Sequence, residues 1–142
     1  MKKFFSYIAL VFLVSCGTGA HQGNKKPLYE VLTQQSDGGA RIRFFEFLTE
    51  TREIKMLQND PKLRRKIKPE DLSACNFVVL NMGEKETTGY TIQVDQVSET
   101  QDSIVITIKD VPPASQLLPE KDIYYTPFTV VKINSKKPIR FN

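Results

Sequence analysis

The chain has 142 residues, of which 40% are hydrophobic and 25% are charged. This composition is typical of one folded domain and excludes a disordered polymer. The formal net charge is +4, and it falls to about +2 without the lysines at positions 2 and 3, which belong to a segment that we expect to be removed. So weak a positive charge argues against a nucleic-acid-binding protein.

The N-terminus has the pattern of a bacterial export signal. Lys2-Lys3 is followed by an apolar segment, Phe4 to Val14, which is shorter than the roughly 20 apolar residues of an ordinary membrane-spanning helix. The segment ends in Leu13-Val14-Ser15-Cys16, which resembles a bacterial lipobox, a signal that is cut before a cysteine whose thiol carries a diacylglycerol. A plain secretory signal with an incidental cysteine is the alternative. We therefore expect a lipoprotein signal peptide over residues 1–15 and a protein anchored by lipid on Cys16 to the bacterial cell envelope, in the outer membrane or at the cell surface.

Residues 16–26 are small, polar and rich in glycine, which predicts a flexible tether before a domain over residues 27–142. His21, the sole histidine, lies in this tether without neighbouring cysteines or acidic clusters, so it does not indicate a metal site. If Cys16 is acylated, Cys75 is the only free thiol and no intramolecular disulfide can form. Cys75 fits a small buried hydrophobe at the start of a strand better than a nucleophile.

The first half of the domain predicts strands and then a helix. Leu28 to Leu32 and Arg41 to Leu48 have strand character, and Thr49 is a candidate N-cap for a short helix from Glu50 to Asn59. The basic run Lys62 to Lys68 that follows could contact anionic lipid or an acidic partner. The favoured alternative is a solvated loop or second short helix that packs Leu63 and Ile67 inward.

The central stretch predicts an ordered loop between two strands. Phe77 to Leu80 is typical of a strand buried on both faces, and Tyr90 to Val94 alternates as a half-buried strand does. Their connection, Gly83 to Gly89, is too long for a two-residue hairpin and has a glycine at each end, which can adopt a positive φ. Such a loop is a usual place for a binding site, and its candidate partner-binding residues are Gly83, Thr87, Thr88, Gly89 and Tyr90. The alternative is that the glycines serve backbone turns, the threonines bond within the loop, and Tyr90 packs on the sheet.

The second half predicts more strands. Ser103 to Asp110 alternates and is expected to be an antiparallel neighbour of the Tyr90 strand, whereas Val111 to Pro119 contains three of the eight prolines and cannot be a regular strand. Phe128 to Ile133 predicts a strand with a proline at its beginning or on an edge, and Ile139 to Phe141 a short last strand. The expected fold is a single mostly-β or α+β domain with an antiparallel sheet of about six strands and one or two short helices.

The sequence of the domain contains no recognisable combination of catalytic residues. The one histidine is in the tether, so no Ser/His/Asp set can form, and the sequence has neither a metal-ligand cluster nor a phosphate-binding glycine motif. Glu84 and Glu86 lie in the central loop, but nothing marks them as an acid/base pair. We expect no enzyme, no cofactor and no metal.

The motifs of the domain resemble the C-terminal domain of the protease complex subunit PrcB family. The matching features are the strand FVVLNM, a loop from Gly83 to Thr87-Thr88-Gly89-Tyr90, the strands TIQV and SIVITI, the loop VPPAS, and Tyr125 to Phe128 before TVVKI. Family members tend to have a G-x-x-x-T-G-G-Y pattern; here Thr88 replaces the first paired glycine and the loop has one extra residue. The resemblance covers about Leu72 to Ile133. It implies a non-catalytic accessory lipoprotein that associates with and stabilises a secreted or surface protease.

Two alternatives remain open. Thr87-Thr88-Gly89-Tyr90 is also similar to the loop of chagasin-like cysteine-protease inhibitors, which are immunoglobulin-like β-sandwiches, but this chain has no tryptophan and lacks the flanking motifs of that family. A purely structural envelope lipoprotein is the other alternative.

Overall fold

Seven strands and three short helices form residues 25–142, the part of the chain that the computed structural model describes. The strands are β1 (Tyr29–Gln35), β2 (Phe44–Leu48), β3 (Asn76–Asn81), β4 (Thr91–Glu99), β5 (Ile104–Val111), β6 (Phe128–Ile133) and β7 (Ile139–Phe141). The helices, α1 (Thr51–Leu57), α2 (Pro61–Arg64) and α3 (Asp71–Ala74), all lie between β2 and β3 in sequence. The predicted mostly-β fold is confirmed.

The strands divide between two sheets, where the sequence predicted one. A four-stranded sheet has the order β1-β6-β3-β2, and a three-stranded sheet has the order β4-β5-β7. The predicted antiparallel pairing of the Tyr90 strand with the Ser103 strand is confirmed, and these strands are β4 and β5. The short β7 pairs with β5 in parallel, which departs from the expected all-antiparallel arrangement.

Two hydrophobic cores lie on either side of the four-stranded sheet, so the molecule has three layers. The core beneath the helices contains Leu32, Leu48, Ile54, Leu63, Ile67, Cys75, Phe77 and Val130. The core between the two sheets contains Val78, Leu80, Met82, Ile92, Ile104, Ile106, Val131 and Ile133. Because neighbouring residues of β3 supply opposite cores, its apolar run is buried on both faces, as predicted.

The helical segment differs from its prediction at both ends of α1. The N-cap is Glu50 and the predicted cap at Thr49 is wrong; the Glu53 carboxylate reaches back to accept the N–H groups of both residues, at 3.1 and 3.2 Å. The helix ends at Leu57, before the predicted Asn59. A second helix, α2, follows, and its N-cap Asp60 accepts the N–H of Lys62 at 2.8 Å.

The basic run packs as its favoured interpretation predicts. Leu63 and Ile67 are 2% and 3% exposed, and the five cations between positions 62 and 68 are exposed. The segment is therefore an amphipathic cover over the first core.

A charged cluster lies inside the helical layer. The ammonium of Lys132 is buried and lies 2.9 Å from the carboxylate of Glu30 and 3.5 Å from that of Asp71. Burial acts to lower the pKa of Lys132, but the hydrogen bond to Glu30 and the charge of Asp71 outweigh it, so the pKa is raised. Burial, and then the nearby Asp71, raise the pKa of the Cys75 thiol. The thiol is therefore held protonated, in agreement with its interpretation as a small buried hydrophobe.

The chain enters the domain at one end of the four-stranded sheet. Tyr29, at the start of β1, pairs with Ile133, whereas Gln35, at its other end, pairs with Phe128. The predicted signal peptide, Cys16 and His21 lie outside the described residues. None of the helices within residues 25–142 has the length and apolar character needed to cross a membrane.

A candidate binding groove between two loops

The loop predicted as a binding element connects the two sheets. It runs over residues 83–90 and leads from β3 in the four-stranded sheet to β4 in the three-stranded sheet; we call it the 83–90 loop. Gly83 and Gly89 have φ values of +85° and +91°, a region that side chains with a Cβ rarely adopt. A Cβ at Gly89 would also lie 2.8 Å from the Cβ of Pro113. The end of the loop thus needs glycine both for its conformation and for its close contact with a second loop.

That second loop spans residues 112–127 and joins β5 to β6; we call it the 112–127 loop. Lys85 and Tyr125 exchange two backbone hydrogen bonds of 2.8 Å, each N–H donating to the carbonyl of the other. The carboxylate of Asp37 accepts both the N–H and the hydroxyl of Thr126 at 2.9 Å, and these bonds lower the pKa of Asp37. The two loops are therefore fixed to each other by backbone hydrogen bonds, and the Asp37 side chain fixes the 112–127 loop to the turn that follows β1.

A groove of about 710 Å³ lies between the two loops. Its walls include Thr87 and Tyr90 from the 83–90 loop and Pro112, Leu117 and Pro119 from the 112–127 loop. Two smaller cavities, of about 120 and 330 Å³, continue along the outer part of the 112–127 loop. The three cavities share one lining residue, Glu86.

The 112–127 loop presents apolar side chains to solvent beside these cavities. Leu117, Leu118, Ile123 and Tyr124 are 40%, 88%, 42% and 49% exposed. Sequence reasoning assigned this segment only as irregular and missed its role. The available signal was the pairing of Leu117-Leu118 with three nearby prolines, because prolines prevent a strand that could bury such side chains in a sheet.

Some of the charged groups around the groove have a partner within the protein and one does not. The Glu84 carboxylate is 2.6 Å from the Nε of Arg41, and the Nζ of Lys85 lies 5.4 Å from the centre of the Tyr90 ring. Glu86 is exposed and forms no ion pair with any residue in the described range 25–142. The edge of the groove therefore includes one carboxylate, that of Glu86, that is available to bind a partner.

The predicted site residues have different positions in this groove. Thr87 and Tyr90 are half-buried and line the main groove, and Tyr90 also packs against the core between the sheets. Thr88 is exposed and lines a smaller cavity, whereas Gly83 is buried beneath the loop. Within residues 25–142 no group of three or more potential ligands could hold a metal ion.

One comparison with known proteins, the scan against family models, agrees with the sequence motifs. The family model of the PrcB C-terminal domain matches residues 76–134, from the first residue of β3 to the residue after β6. The matched span includes the 83–90 loop and the 112–127 loop. Searches of curated proteins and of solved structures gave no match. The resemblance predicted from the sequence is confirmed over residues 76–134, which match the family model of the PrcB C-terminal domain.

Proposed function

We propose that this protein is a non-catalytic accessory lipoprotein that binds a secreted or surface protease and stabilises it. The observation that carries the proposal is that the family match includes both walls of the groove. The family is that of a protease complex subunit, and the groove is the part of the matched region that presents apolar side chains to solvent.

The construction of the groove suits binding to another protein. Its walls are joined by the paired backbone hydrogen bonds of Lys85 and Tyr125, so they are ordered before a partner arrives. A preorganised surface loses little conformational entropy on association. Exposed leucine and tyrosine side chains on such walls supply the apolar area that a partner would cover.

The position of the groove suits a protein tethered at its N-terminus. The groove lies at the end of the four-stranded sheet opposite the entry of the chain at Tyr29, and the seven residues of β1 separate the two ends by about 23 Å. A flexible tether over residues 16–26 would extend about 18 Å on average. Lipid on Cys16 would then hold the domain at a membrane surface with its groove accessible to a protein outside.

Affinity capture of the mature protein from its own envelope fraction tests the proposal. We expect a protease or its precursor to co-purify, and the abundance of that protease to fall in cells that lack this protein. The chagasin-like alternative, favoured by the exposure of Thr88 and Gly89, predicts instead strong inhibition of a papain-like enzyme by the purified protein. Capture of no protease, with no inhibition, favours a structural envelope role.

A further inference from the structure

We infer that the groove accepts an extended polypeptide segment in which a lysine or arginine is flanked by apolar side chains, with the basic group lying against Glu86. This inference rests on the proposed function and specifies the chemistry of the partner. It follows from the charges and apolar side chains that the three cavities share.

Unpaired carboxylates outnumber unpaired cations along the cavities. Glu86 lines all three cavities, Glu120 lines the two smaller ones, and Asp122 lines one. None of these carboxylates has an ion-pair partner among residues 25–142. The cations that line the cavities are Lys85 and Lys121, and Lys85 is placed over an aromatic ring.

A tight turn presents the outer carboxylates. The N–H of Ile123 donates to the carbonyl of Glu120 at 3.2 Å, and Asp122 adopts a left-handed φ of +62°, which aspartate tolerates better than most side chains. The carboxylates at 120 and 122 therefore belong to a defined turn beside Glu86. With Glu86 they make three unpaired carboxylates against the two lysines, Lys85 and Lys121. This excess of one negative charge favours a cationic partner over nucleic acid or an anionic membrane surface.

The apolar side chains along the cavities indicate which residues should flank the lysine or arginine of the bound polypeptide. Leu117 lines both the main groove and a smaller cavity, and Leu118 lines that smaller cavity, while Ile123 and Tyr124 line the third. Because Glu86 borders all of these surfaces, a side chain that reaches it has apolar wall on either side. A polypeptide with apolar residues around one basic residue matches this arrangement, whereas a small free cation would leave the walls exposed.

Three synthetic nine-residue peptides test the inference. They share leucine and proline flanks and differ only in a central Arg, Gln or Glu, and fluorescence anisotropy measures their binding to the mature protein at low and high salt. Because a solvent-accessible ion pair contributes up to about 1 kcal/mol, we expect about fivefold tighter binding of the Arg peptide than of the Gln peptide at low salt. High salt should reduce the difference.

Variants of Glu86 identify the group that is responsible. E86Q should abolish the preference for the Arg peptide, and E86R should reverse it in favour of the Glu peptide. E70Q is the matched control, because Glu70 is an exposed glutamate outside the three cavities, and it should leave the preference unchanged. Equal binding of the three peptides, absence of binding, or a preference that survives E86Q would overturn the inference.

The two proposals fail in different ways. A captured protease that is lost on mutation of Leu117 and Leu118, together with equal binding of the three peptides, would leave the proposed function standing and overturn the charge inference. A charge-dependent peptide site in a protein that captures no protease would overturn the proposed function alone.

Discussion

Valine in place of Gly89 tests how tightly the two walls of the groove are joined. A non-glycine residue at a φ of +91° costs about 1–3 kcal/mol. The new Cβ would lie 2.8 Å from the Cβ of Pro113, well inside the usual carbon–carbon contact of about 3.5–4.0 Å, and relieving such overlap costs about 1–3 kcal/mol more. Since movement of the 112–127 loop relieves part of the steric overlap, we expect the free energy of unfolding to fall by about 2–4 kcal/mol.

Thermal and urea denaturation of the mature protein measure this loss. For a domain of this size the Tm should fall by about 8–15 °C. Thr88→Val is the matched control, because it places the same side chain one residue earlier at an exposed position, where the change should be within about 0.5 kcal/mol. Equal melting temperatures for the two variants would refute the assigned backbone and the close contact.

Three further changes test the cores and the anchor. Ile106→Asp places an unpaired charge at a position that is 1% exposed and should lower the free energy of unfolding by about 4 kcal/mol; Lys109→Asp, exposed on the same strand, should change little, and equal Tm values would show that the faces are wrongly assigned. Because the pKa of Lys132 is raised above its ordinary value of 10.5, its stabilisation is present below that pH and is lost as the pH rises through the folded-state pKa. A rise in pH from about 10 to 12 should therefore lower the free energy of unfolding of the wild type more than that of Lys132→Met, as measured by urea unfolding. Parallel plots of unfolding free energy against pH for the two proteins would contradict the buried ion pair. Cys16→Ala should abolish acylation and move the protein to the soluble or uncleaved fraction; a cleaved, lipid-bearing variant in the membrane fraction would rule out the lipobox.

The strands were predictable wherever burial alone sets the sequence pattern. Alternation in β5 and the continuous apolar run of β3 follow directly from which faces contact a core. The division into two sheets was not predictable in this way, because the inward face of β4 has the same alternation whether its core partner is a helix or a second sheet. The parallel β7 has three residues, too few for a pattern.

The candidate site was half predictable. The glycines at 83 and 89 identified the 83–90 loop, because positive φ has a strong sequence preference. The opposite wall was missed because the contact of Pro113 with Gly89 joins residues far apart in the chain, and no local pattern encodes it. The ion pair of Lys132 was likewise not predictable, because the sequence predicts only a strand at that position and the partner Asp71 lies in a helix far away in the chain.

The most direct test of the proposed protease-binding role is quantitative affinity capture with a groove variant and a matched surface variant. Leu117→Asp combined with Leu118→Asp alters exposed groove side chains, and Met56→Asp alters a methionine that is 66% exposed on the helical layer. All three proteins should keep nearly the same Tm, because each aspartate remains solvated. The account predicts that the wild type and Met56→Asp capture the same protease from the envelope fraction and that the double variant loses it. Equal capture by the double variant, or no protease captured by the wild type, would contradict the account.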